Sequence, residues 1–157
     1  MSEQIAFVTG AATGIGAAVC KNLANQGIRV AVCDINKTDG EVLAKELCGE
    51  FIKCDVTNLA SVEHAANVCV QRLGIPDYVH LNAGIMTVPT GEPFLAIEDV
   101  TETQYHKIVG VNLNGVYHGM KTVLPLMRAK GGAITITAST AGLSVVPVDP
   151  MYTATKY

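Results

Sequence analysis

Five short apolar runs in this chain alternate with longer stretches of helical pattern, and that alternation leaves few folds open. Residues 5–8, 28–33, 51–54, 78–81 and 133–138 read as strands. Residues 14–25, 37–47, 60–73, 101–112 and 114–130 read as helices, the last two either separate or one continuous run. Strands separated by helices cannot close as hairpins. Each return is a crossover, and crossovers make neighbouring strands parallel. The expected architecture is a twisted parallel sheet with helices on both faces. A mean hydropathy of +0.32 suits a sheet covered on both sides, or a face that another element is meant to cover. Hydrophobic residues make up 49% and charged residues 16% of 157, enough for one ordered domain and too few residues for two large ones.

The turn after the first strand carries the clearest chemical signal. Thr9-Gly10-Ala11-Ala12-Thr13-Gly14-Ile15-Gly16 leaves a strand and opens a helix. A helix start presents unpaired N–H groups and partial positive charge, which suit a pyrophosphate. Glycine permits the tight turn and lets backbone approach a ligand. Gly10, Thr13, Gly14, Ile15 and Gly16 are therefore the expected phosphate site of a dinucleotide. Their spacing is Gly-x-x-x-Gly-x-Gly rather than Gly-x-Gly-x-x-Gly. Glycines alone fit any tight turn; the strand–turn–helix context is what points to an anion. The second strand ends at Asp34, where a carboxylate can accept ribose hydroxyls and repel a 2′-phosphate. With Ile35 next, NAD is favoured over NADP, and Lys37 keeps NADP open. The other reading of Asp34 is a cap for the following helix. Asp55 and Val56 follow the third strand and are placed to meet the adenine edge, or Asp55 is a turn or cap residue before Thr57.

Charge and composition exclude several classes. Net charge is −3, and the largest basic cluster, Arg128 and Lys130, lies at a helix end, so no nucleic-acid partner is expected. No apolar run approaches ~18 residues, so no membrane span is expected. The opening Met1-Ser2-Glu3-Gln4 lacks the basic and apolar segments of a secretory signal. Cys20, Cys33, Cys48, Cys54 and Cys69 are odd in number and contain no Cys-x-x-Cys, which predicts free, mostly buried thiols and a cytoplasmic setting. His64, His80, His106 and His118 lack ligand spacing, so no metal site is expected and the four are read as structural.

Four further features coincide. The fourth strand runs into Asn82-Ala83-Gly84. Asn112 stands in Val-Asn-Leu-Asn-Gly. The fifth strand leads to Ser139, and Tyr152-Thr-Ala-Thr-Lys156 follows thirteen residues later. In this order and spacing the chain resembles the short-chain dehydrogenase/reductase family from about residue 4 onward. The resemblance implies a three-layer, Rossmann-like doubly wound sheet of strand order 3-2-1-4-5. It also implies transfer of a hydride between a nicotinamide cofactor and a small secondary alcohol or ketone. By the same resemblance, Tyr152 is the general acid/base, Lys156 binds the nicotinamide ribose and favours the ionised phenol, and Ser139 hydrogen-bonds the substrate oxygen. Asn112 helps position a water linking Lys156 to solvent, and Asn82, Ala83 and Gly84 line the cofactor. The chemistry wants these residue types independently. Hydride transfer to a carbonyl needs a proton at its oxygen. A free tyrosine titrates near ~10, and an ammonium at i+4 shares its helix face and favours the phenolate.

Two positions depart from the family's usual pattern. His80 stands where a second Asn often precedes Asn-Ala-Gly, and is read as a core histidine. Thr155 replaces a frequent Ser. Asp149 and Pro150 suit the cap and first residue of a helix that the chain follows only to Tyr157. Family members usually continue with further strands, a pocket cover and an oligomer interface. The expectation is that these 157 residues bind dinucleotide weakly and turn over poorly, while a longer, homo-oligomeric parent is the oxidoreductase. The alternative is a dinucleotide-binding or interaction module with little catalysis. The loop from Ile85 to Val100, with Met86, Pro89, Pro93 and Phe94, is either an apolar substrate wall or a plain connector.

Overall fold

The computed structural model describes residues 3–157. Met1 and Ser2, part of the segment read for a signal, lie outside the described residues. Strands β1 (Ile5–Thr9), β2 (Arg29–Asp34), β3 (Glu50–Lys53), β4 (Tyr78–Leu81) and β5 (Ala133–Ile136) form one parallel sheet of order β3-β2-β1-β4-β5. Helices α1 (Gly14–Asn25), α2 (Lys37–Glu46) and α3 (Leu59–Arg72) return the chain between the first four strands. A long helical run and then α6 (Pro150–Lys156) complete the order. Among the described residues no helix is long and apolar enough to cross a membrane.

The period of the strands decides the packing. On β1, Ile5 and Phe7 face one side with Cys33, Ile52, Val79 and Leu81, under Val62, Cys69 and Val123 from the helices. Ala6 and Val8 face the other with Val30 and Val32, under Cys20, Leu43 and Ala44. All five residues of β1 are buried, as a central strand covered on both faces requires. β5 differs: Ala133, Thr135 and Ile136 are exposed, and no strand among the described residues pairs with its outer edge.

Most element ends fall within one residue of the sequence reading, but the last long helix stops at Met127, three residues short of 130, and β5 stops two residues short of 138. Its partner β4 ends at Leu81, so pairing is exhausted once Thr137 N–H reaches the Leu81 carbonyl at 3.0 Å. The helical region is one run: α4 (Glu102–Val109), a π-helical turn over Gly110–Asn114, and α5 (Gly115–Met127). The wide turn sits where the run crosses the segment after β3. A Cβ on Gly115 would meet Val56 Cγ2 at 2.9 Å, and one on Gly110 would meet Thr57 Cγ2 at 3.4 Å.

Candidate active site at the carboxyl ends of the strands

The chain winds from β1 outward to β3, then crosses back to β4. Ligands of such sheets bind outside the carboxyl ends of the strands, where this order reverses. A cavity of about 650 Å³ opens there. Gly10, Thr13, Gly14 and Ile15 form its floor, Asp34, Asp55 and Val56 one side, and Asn82, Ala83 and Gly84 the centre. Residues 85–90, Lys107, Val111, Thr137, Tyr152 and Lys156 complete the wall. Of the loop after β4, residues 85–90 line the cavity, Met86 and Pro89 among them, while Pro93 and Phe94 do not.

The glycine turn is built by close approach. Gly10 has φ +60°, and a Cβ there would lie 2.7 Å from Ala83 Cα. Gly14 has φ +56°, with nothing within 4 Å of its missing Cβ. Gly16 does not line the cavity. A Cβ there would strike the Gly10 carbonyl, so this residue lets α1 close on the turn. Asn36, Asn58, Thr101 and Asp149 each cap their helix with a side-chain oxygen, whereas Thr13 makes no such bond at the start of α1. The first N–H groups of α1 therefore remain available at the cavity floor.

Asp34 does not cap α2, because Asn36 does. Its Oδ2 accepts Ala12 N–H at 2.9 Å and its Oδ1 accepts Asn36 N–H at 2.9 Å, which fixes the carboxylate beside the turn with lone pairs to spare. Asp55 does serve its turn, accepting Thr57 N–H and O–H at 3.0 and 2.7 Å, and it also lines the cavity. Val56 is held by His118, whose Nδ1 lies 2.8 Å from the Val56 carbonyl.

At the other end, Lys156 Nζ donates to the Thr137 carbonyl at 3.3 Å and lies 5.7 Å from the centre of the Tyr152 ring. A Cβ on Gly84 would stand 3.4 Å from that nitrogen and 3.5 Å from Asn112 Oδ1, so bare backbone brings all three together. Asn112 is buried in the π-helical turn. Its Oδ1 accepts Ile85 N–H at 2.8 Å, and its Nδ2 donates to the Ile85 carbonyl at 2.9 Å and Thr155 Oγ1 at 3.0 Å. Both amide hydrogens are spent on structure, leaving one Oδ1 lone pair. Ser139 Oγ accepts Ala141 N–H at 3.1 Å and lies outside the cavity lining, with its own hydrogen free to donate.

Thr137 was not anticipated from sequence. Its hydroxyl donates to Asn82 Oδ1 at 2.9 Å, and Asn82 Nδ2 donates to the Gly10 carbonyl at 3.0 Å, which joins Lys156 to the glycine turn. The signal was present: strand alternation puts Thr137 two residues before Ser139. Lys107 and Val111 were also missed, although their i,i+4 spacing puts them on one face of the helical run.

His80 is half-buried, with Nδ1 2.7 Å from Thr135 Oγ1 and Nε2 3.3 Å from Thr137 Oγ1, so it belongs to this network and not to the cavity lining. Burial pushes its pKa below the ordinary imidazole value, partly opposed by the Thr135 bond. As pH falls through the ordinary range near ~6.5, the unfolded chain takes up a proton that the folded chain resists, so stability declines until the lowered native pKa is passed. Melting temperature is expected to fall from pH 7 to pH 5 more steeply in the wild type than in His80→Gln. Parallel slopes would remove His80 from the account.

Cys54 lines the cavity but is no nucleophile: burial pushes its thiol up to about 12, with Asp55 and Asp34 adding to the effect. Burial likewise raises Cys20 and Cys69 to about 12 and Cys33 well above its ordinary value, while Cys48 is exposed. All five are free thiols. Among the described residues no group of three or more His, Cys, Asp or Glu could hold a metal ion.

Fold and cavity together define a doubly wound parallel α/β protein with an anion-ready helix start facing a Tyr–Lys pair. A family model for short chain dehydrogenases matches residues 4–157, and the chain belongs to that family. It is 36% identical over 143 residues to the short-chain dehydrogenase reductase ATA1 of Arabidopsis thaliana, covering 90% of this chain and 51% of that protein. It is 31% identical over 168 residues to trans-4-hydroxycyclohexanecarboxylate dehydrogenase of Sinomonas cyclohexanicum, covering 100% and 62%. Among solved structures, the alcohol dehydrogenase of the archaeon Thermococcus sibiricus complexed with 5-hydroxy-NADP superposes with a TM-score of 0.90 at 30% identity, over 99% of this chain and 66% of that one. A short-chain dehydrogenase/reductase from Burkholderia phymatum in complex with NAD gives 0.90 at 26%, over 99% and 56%. The chain thus spans between about half and two thirds of the length of these relatives.

Proposed function

We propose that the protein is an NAD(P)-dependent oxidoreductase acting on a secondary alcohol or ketone, with Tyr152 as general acid/base. One observation carries the reading: Tyr152 and Lys156 line the same cavity as the uncapped start of α1 and its glycine turn. The relatives, an alcohol dehydrogenase and a hydroxycyclohexanecarboxylate dehydrogenase among them, support the reaction class.

The residues fit a dinucleotide. Gly14, with open space beside its Cα, and the free N–H groups of α1 would take the pyrophosphate. Asp34 would take the adenosine ribose, Asp55 and Val56 the adenine edge, and Lys156 the second ribose. The bound nicotinamide gives or receives the hydride. The protein's own part is the proton. In reduction Tyr152 Oη, which makes no hydrogen bond within the described residues, donates to the forming alkoxide. In oxidation its ionised form accepts the alcohol proton. Ser139 lies outside the cavity lining, and its free O–H carries the family's expectation of a bond to the substrate oxygen. Asn112 holds the loop after β4 against α6, and its spare lone pair can seat a water.

NAD is preferred in this reading because the Asp34 carboxylate faces the cavity. Lys37, the nearby cation, pairs with Glu41 at 3.7 Å. Asp34→Asn is expected to weaken NADH about tenfold and to narrow or invert the preference over NADPH, measured by fluorescence titration of both. An unchanged NADH-to-NADPH ratio would refute the assignment. The overall reading is tested by pairing those titrations with an assay of secondary alcohols and both oxidised cofactors; intact binding without turnover leaves only a dinucleotide-binding module. The exposed Tyr117 and Leu124 on α5 and Ile136 on β5 offer a surface for self-association, and free thiols suit a reducing compartment.

A further inference from the structure

The helix that carries Tyr152 and the cavity wall that follows β4 share one buried carboxylate. Asp149 is 1% exposed, and no ion pair among the described residues involves it. Burying a carboxylate is costly unless its oxygens are hydrogen-bonded. Asp149 Oδ1 accepts Tyr152 N–H at 2.9 Å and the Thr87 hydroxyl at 2.5 Å, and Oδ2 accepts Thr87 N–H at 3.0 Å. Capping a helix needs none of this burial. Asn36, Asn58 and Thr101 cap theirs while exposed to solvent.

What the burial accomplishes is a link between segments 62 residues apart. Thr87 and Tyr152 line the same cavity. A second link joins the same two segments, because Asn112 holds the backbone of Ile85 and the hydroxyl of Thr155. In sequence Tyr152 lies between the two anchors on its own side, Asp149 and Thr155. The wall is gripped at Ile85 and Thr87, and the helix at Asp149 and Thr155.

We propose that Asp149 is a positioning residue: it fixes the Tyr152 hydroxyl relative to the wall against which the substrate lies. The inference rests on the oxidoreductase reading and adds a residue to it. Asp149→Asn keeps Oδ1 for Tyr152 N–H and the Thr87 hydroxyl but turns an NH₂ toward Thr87 N–H, donor against donor, so α6 still starts while the wall loses its backbone bond. Thr87→Val removes only the hydroxyl bond.

The test uses the full chain with a secondary alcohol that it turns over. In Asp149→Asn, kcat is expected to fall about ten- to a hundredfold, the scale on which ~1 Å misplacements act, and KM for the alcohol to rise. The NADH Kd stays within about twofold. Thr87→Val moves the same way by a smaller factor, Thr87→Ser recovers most of that loss, and Asp149→Asn combined with Thr87→Val, which cuts both bonds to the wall, is worse than either alone. By amide exchange, Thr87 loses protection in Asp149→Asn while Tyr152 keeps it. Unchanged kcat and KM, a parallel loss of NADH affinity, or a still-protected Thr87 amide overturns the proposal. Should Asp149→Asn not fold, Thr87→Val and its Ser counterpart decide. A wild type that binds NADH and turns over no alcohol overturns the oxidoreductase reading and this proposal with it, an outcome distinct from an active wild type indifferent to Asp149.

Discussion

Tyr152→Phe is expected to cut kcat/KM about 10²- to 10⁴-fold, the range in which a positioned proton donor contributes, or about 3–5 kcal/mol of barrier. The effect should be confined to chemistry. The hydroxyl that is lost has no hydrogen-bond partner within the described residues, so no buried group is orphaned by its removal. The ring remains, and with it the contact to Lys156 Nζ at 5.7 Å. Stability should stay within about 0.5 kcal/mol of wild type, as for substitutions that break no buried contact. NADH affinity should also hold, because the turn from Gly10 to Gly16 and the Asp34 carboxylate are untouched. Steady-state kinetics, a thermal melt and an NADH titration on the same preparation check all three. Turnover that survives the substitution would mean another group moves the proton.

Gly16→Ala should have the largest effect on the fold. The added Cβ would strike the Gly10 carbonyl and lie 2.8 Å from Asn82 Nδ2 and 2.9 Å from Ala11 Cα. Two of those neighbours are backbone and cannot swing aside. Relief requires α1 to back away from the turn, which strains the Asn82 Nδ2 bond to the Gly10 carbonyl. Overpacking of this kind costs about 1–3 kcal/mol and sometimes more. At ~3 kcal/mol the melting temperature of a chain this size drops by about 6–12 °C. Gly14→Ala is the control. It has φ +56° with open space beside it, so it pays for backbone strain alone, about 1–2 kcal/mol. Its cost should appear as a melting temperature lower by about 2–8 °C, together with weaker NADH binding where the methyl enters the turn. If Gly16→Ala melts like wild type, the close approach is not what the glycine serves.

The sequence carried a large share of both fold and site, and where it stopped has physical reasons. Strand and helix periodicity is local, so the order of elements was readable, and so were the start of α1 at Gly14 and of α6 at Pro150. Strand ends are not local. β5 runs only to Ile136 because β4 offers no partner beyond Leu81. Whether residues 101–130 made one helix or two was also undecidable locally, since the π-helical turn forms where Gly110 and Gly115 press on Thr57 and Val56. Asp34 and Asp55 looked alike as strand-end carboxylates. Only the packed chain separates them: each accepts the N–H two residues on and leaves its helix to an Asn cap, but Asp34 also takes Ala12 N–H of the glycine turn, while Asp55 takes the Thr57 hydroxyl.

By itself the sequence determined which chemical groups exist and in what order: a glycine turn opening a helix, a carboxylate after β2, and a Tyr and Lys one helical turn apart. Those follow from backbone periodicity and residue chemistry. The tertiary structure alone decided which of them meet. Gly16 became a packing residue, Asn112 a clamp on Ile85 and Thr155, and Asp149 a link to Thr87. Each depends on segments far apart in the chain reaching hydrogen-bonding distance, and no local pattern encodes that distance.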